Sequence, residues 1–102
     1  MKFEITDSFK GDWSRPSKGE RRLFREVLPN FNESRDRIAA DPTVRFPASL
    51  RVKDVENAPG VLEMTWNFSG PDGRATFEWV MIDDTRGVRW RRIGGHAIFK
   101  KA

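Results

Sequence analysis

The chain has no cysteine, no tyrosine and a single histidine in 102 residues. Without cysteine there is no disulfide framework, no thiolate nucleophile and no Cys-ligated zinc or iron–sulfur site. One histidine cannot build a multi-His centre, so the expectation is a protein that uses neither metal nor cofactor. No apolar run approaches the roughly 20 residues needed to cross a bilayer, and the opening MKFEITDSFK lacks the apolar core of a signal peptide. These features predict a cytoplasmic protein with no membrane partner. No P-loop, dinucleotide-binding glycine motif, Ser-His-Asp arrangement or paired-carboxylate signature is present.

Aromatic residues and basic charge are plentiful. Eight Phe and four Trp, with 37% hydrophobic residues overall, are enough to build a core. Each such ring buries roughly 150–250 Å². The length fits one domain spanning residues 1–102. Nineteen basic against fifteen acidic residues give a net charge of +4, and the excess is concentrated at one end. Arg86 to Ala102 reads RGVRWRRIGGHAIFKKA, with six Lys or Arg and no acid. A solvated tail has no use for Trp90, Ile93 or Phe99. The segment therefore reads as a strand that holds guanidinium groups in a row, the way a protein presents cations to phosphates.

The periodicity along the chain predicts helices first and a meander afterwards, an α+β class. Met1 to Ile5 alternates as a short half-buried strand. Thr6 or Asp7 caps a short helix over Ser8 to Arg15, with Phe9 and Trp13 on one face. Ser17-Lys18-Gly19-Glu20 has capping-box spacing. The stripe Leu23, Phe24, Val27, Leu28, Phe31, Ile38 then carries a longer helix to Ala40. Pro29 inside that stripe predicts a kink or a break. Thr43 to Ala58 reads as an extended, proline-punctuated stretch, not necessarily hydrogen-bonded into a sheet. Strands follow over Val61 to Phe68, Arg74 to Ile82 and Val88 to Ile93, with turns at Ser69–Gly73 and Asp83–Gly87. The Leu23 stripe should pack against the face carrying Met64, Trp66, Phe77 and Trp79.

The basic strand has two readings. It is either an edge strand blunted by charge or a phosphate-facing row. In the second, Arg74 stands across the sheet from Arg89 or Arg91, so that guanidiniums converge on an anion. In the first, Glu63 and Glu78 on neighbouring strands neutralise these arginines. His96 follows Gly94-Gly95 and is the one side chain whose ordinary pKa suits proton transfer near neutrality. Most of the aromatics fit the core pattern; Trp90 and Phe99 are the two placed to touch a ligand.

The ordered pattern resembles the RelE/ParE superfamily of bacterial toxin–antitoxin toxins. The resemblance lies in the stretch Ser49 to Glu63, in Gly73-Arg74 opening a strand, and in WRRIGGHAIF near the end. It implies an N-terminal strand and two helices packed on one face of a mostly antiparallel four-stranded sheet. It further implies a type II toxin with a cognate antitoxin partner, acting as a metal-independent endonuclease on mRNA at the ribosome. On that pattern Arg74 and His96 are catalytic. Arg51, Lys53, Arg89, Arg91, Arg92 and Lys100 bind the RNA backbone. The chain departs from the pattern at Glu63, Thr65 and Ala48, and it has no Tyr. The alternatives are a ParE-like inhibitor of DNA gyrase and a non-catalytic module that binds nucleic acid or protein.

Overall fold

A computed structural model of the chain describes residues 3–15, 18–56, 58–66 and 73–94. In chain order the elements are β1 (Phe3–Ile5), α1 (Asp7–Trp13), α2 (Lys18–Ala40) and a 3-10 turn (Ala48–Leu50). They continue with β2 (Lys53–Asp54), β3 (Leu62–Trp66), β4 (Gly73–Ile82) and β5 (Thr85–Gly94). The expected capping box at Ser17–Glu20 rests on side chains outside the described set.

Thr6 starts α1 because its extended backbone lets the side-chain oxygen accept the Phe9 N–H, at 3.1 Å. α2 runs without interruption through Pro29, so the expected break does not occur. Pro29 is exposed, while Phe24 and Phe31 on either side of it are buried in the same core. Packing of the apolar face outweighs the roughly 3 kcal/mol that an interior proline costs a helix. The helix stops at Asp41, whose carboxylate accepts both the N–H and the O–H of Thr43 and is held below its ordinary pKa by them. Among the described residues no helix is long and apolar enough to cross a membrane.

Among the described residues the sheet has five strands in the order β1-β5-β4-β3-β2, one more than expected. The addition is β2, which places Lys53 opposite Glu63 and Asp54 opposite Leu62 in the stretch read from sequence as merely extended. Two residues are too short to leave a readable alternation. β1 runs parallel to β5 and the other pairings are antiparallel, so the sheet is mixed. β4 and β5 form a hairpin closed by Asp83 and Asp84, at φ 50° and 62°. Two successive left-handed residues make the tight turn that matches strand twist, and Asp tolerates that conformation. Thr85 to Gly87, expected in the turn, therefore already belong to β5.

The core lies between the helices and one face of the sheet. Phe31 meets Phe77 edge to face at 5.0 Å and Trp90 at 4.8 Å, and Phe24 meets Trp90 at 5.5 Å. The expected contact between the α2 stripe and the Phe77 face is thus present. Trp90 is a core residue, 4% exposed, and not the surface aromatic the sequence pattern allowed. Three large apolar residues are exposed, Met81 at 67% and, on β1, Phe3 at 52% and Ile5 at 38%. With β1 at the sheet edge, these two β1 side chains open onto a groove floored by Phe9, Phe24, Leu28 and Trp90.

Candidate nucleic-acid interface

β5 lies inside the sheet, paired by β1 on one side and β4 on the other. Charge on an interior strand does not protect an edge, so the edge-blunting reading of the arginine row falls. The outer side of β5 is held from Val88 to Ile93. β1 covers its outer side from Val88 to Trp90, and Thr6 continues that cover. The Thr6 N–H donates to the Trp90 carbonyl and its hydroxyl donates to the Arg91 carbonyl, at 3.0 and 2.7 Å. Where β1 and Thr6 end, α1 takes over. Asp12, 3% exposed, accepts the Ile93 N–H at 3.1 Å. Backbone groups of Trp90, Arg91 and Ile93 on this side thus find partners although the neighbouring strand is only three residues long.

The same carboxylate accepts two hydrogen bonds from Arg92, at 2.5 and 2.9 Å, and these raise the guanidinium's pKa. Arg92 therefore ties α1 to β5. Sequence reading missed Asp12, because nothing in a seven-residue helix announces which strand it will lie beside.

On the sheet face away from the helices, Arg89 and Arg91 converge on Glu78. Arg89 donates to one carboxylate oxygen at 2.8 Å and Arg91 to the other at 2.5 Å. Arg89 also donates to Glu4 of β1 at 3.0 Å, the first cause of its raised pKa. Arg89 is the register partner of Glu78, and Arg91, two residues on along the strand, shares its face. Thr76 pairs with Arg92 and Phe77 with Trp90, which makes Arg91 the extra residue of a bulge on β5. Glu78 thus balances these arginines, as one sequence reading held. Glu63 does not share in this, for its partner is Lys53 at 3.3 Å.

Arg74 does not stand opposite Arg89 or Arg91. Its register partners are Thr65 and Gly94. Four residues of strand, about 13 Å, separate it from Glu78. Arg74 is half-buried, and Thr65 and Thr76, its neighbours on that face, are buried. Arg51 follows the 3-10 turn in a left-handed conformation at φ 48° and is exposed. Lys53 lies at the far side of the sheet on β2, 73% exposed. His96 and Lys100, and with them Phe99, lie outside the described residues. Among those described, no group of three or more acidic or His residues could hold a metal ion.

No protein-family model and no curated protein sequence matches the chain. In three dimensions the chain is similar to a chain of the crystal structure of the intact E. coli RelBE toxin–antitoxin complex. The TM-score is 0.52 over 91% of this chain and 93% of that one, at 13% sequence identity. The fold, two helices and a five-stranded mixed sheet, is RelE-like.

Proposed function

We propose that this protein is the toxin of a type II toxin–antitoxin pair and that it cuts mRNA at the ribosome without a metal. The observation that carries the reading is a RelE-like fold over nearly the whole chain, with a cation-bearing strand placed inside the sheet rather than at its edge. In the reaction the ribose 2′-oxygen bonds to the adjacent phosphorus as the bond to the 5′-oxygen breaks. One group takes the 2′ proton and another supplies a proton to the leaving oxygen. His96 serves one of these proton transfers, and Arg74 stabilises the charge that builds on the phosphate. Arg51, Lys53, Arg89, Arg91 and Lys100 position the RNA backbone, while Arg92 supports the strand from Asp12.

The antitoxin is a protein that covers the groove between β1 and the helices. Exposed Phe3 and Ile5 provide apolar area there, and Lys10 and Arg25 in its lining suit acidic residues on the partner. A small helix-turn-helix or ribbon-helix-helix protein encoded next to this one would be the first candidate.

The decisive experiment is expression of His96→Gln and Arg74→Ala against the parent, scoring growth arrest and RNA cleavage. Loss of a positioned acid–base group costs about 10²–10⁴-fold in rate, so His96→Gln should abolish both effects while folding and antitoxin binding persist. Equal toxicity of both variants would shift the target to gyrase. A second reading, a non-catalytic binding module, is favoured by the pairing of Arg89 with Glu4 and Glu78, and a harmless parent protein would establish it.

A further inference from the structure

We infer that Glu78 is an internal stand-in for phosphate, and that Arg89 and Arg91 form a phosphodiester site held closed by it in the free protein. The inference rests on the nucleic-acid reading above and adds a residue that sets how tightly RNA is held. Three observations carry it. The two guanidiniums approach the two oxygens of one carboxylate separately, at 2.8 and 2.5 Å. A phosphodiester presents its two non-bridging oxygens in the same forked way. Arg89 is the register partner of Glu78, and Arg91, two residues on along β5, shares its face, so the convergence is set by the strand rather than by flexible side chains alone. Finally, the clamp is reachable from solvent. The Glu78 side chain is 20% exposed, and those of Arg89 and Arg91 are 40% and 36% exposed.

Ion pairs at this exposure are individually weak, and a polyanion with several phosphates competes with them by releasing counterions. RNA therefore engages Arg89 and Arg91 by displacing Glu78, which turns outward to water. Glu4 plays the smaller part, because it holds Arg89 alone. The arrangement sets a threshold. A short or isolated phosphate gains too little to open the clamp, whereas a strand already seated on other cations opens it in passing.

The test is titration of a fluorescein-labelled single-stranded oligouridine, at several salt concentrations, against the parent, Glu78→Gln, Glu4→Gln, Glu78→Gln/Arg91→Ala and Arg74→Ala. Thermal unfolding serves as the folding control. Glu78→Gln should bind roughly tenfold more tightly at low salt, with a salt slope steeper by about 0.7 for each guanidinium released. Glu4→Gln should show a smaller gain, and adding Arg91→Ala should remove much of the Glu78→Gln gain. Unchanged or weaker binding by a folded Glu78→Gln protein would overturn the inference, since Glu78 would then merely position the arginines. If that happened while Arg74→Ala still lowered affinity, the nucleic-acid reading would stand without it. No binding by any variant at low salt would remove both.

Discussion

The Asp12 carboxylate of α1 holds the Arg92 guanidinium and the Ile93 backbone N–H of β5 together, across 80 residues of sequence. It is the least exposed acid in the described chain, at 3%, and it meets two donors that would otherwise face an uncovered strand side. Removing one partner of a buried ion pair typically destabilises by about 3–5 kcal/mol, because the other charge is left behind. Asp12→Asn should therefore lower the midpoint of thermal unfolding by more than about 10 °C. A shift of only a degree or two, measured by circular dichroism, would show that β5 does not depend on this anchor.

Pro29→Ala is expected to act in the opposite direction. The helix already passes through this position, the side chain is exposed, and the proline removes a backbone hydrogen bond to Arg25. The substitution should stabilise by about 1–3 kcal/mol. Denaturant titration measures this directly, and a loss of stability would mean that the proline sets a helix curvature the core requires.

If the face away from the helices binds RNA, affinity for a single strand should fall with salt by about 0.7 log units per log unit of salt for each phosphate engaged. Titrations at several salt concentrations give the slope. A flat response excludes phosphate contacts as the source of binding.

Phe3→Asp tests the groove. Phe3 is 52% exposed, so its replacement should change stability little. If the groove seats the antitoxin proposed above, an acid placed in that apolar contact should nonetheless weaken the complex by at least tenfold, read by co-purification or calorimetry. Unaltered binding would place the antitoxin on another surface.

The elements with long apolar alternation or a helical stripe were legible in the sequence. α2, β3 and β4 follow from Leu23–Phe31, Leu62–Met64 and Ala75–Trp79, and their contact follows from each having one apolar face. Three other features were not fully legible. β2 is two residues long. A turn was legible over Asp83–Gly87, but not its closure at Asp83-Asp84 alone, which lacks the glycine that usually marks a two-residue hairpin loop. The bulge at Arg91 is a matter of pairing between strands, which no single strand's periodicity records. The candidate site divided along the same line. A row of cations on β5 was readable from Arg89 to Arg92, while its partners Glu4 and Asp12 were not, because they come from elements that reach β5 only through the topology.

The pairing of the first strand with the last has a consequence for how the molecule is made. Phe3 lies beside Val88, and Thr6 reaches Arg91 across 85 residues. Contacts of such sequence separation form late, since the whole intervening loop must be closed before they are rewarded. During synthesis β4 has no partner on its β5 side until Thr85–Gly94 emerge, and β1 waits longest of all. A chain interrupted at the Asp83-Asp84 turn keeps both helices yet lacks Trp90, against which Phe24 and Phe31 pack. Folding of this protein, and any activity that depends on its arginine row, is therefore coupled to synthesis of β5.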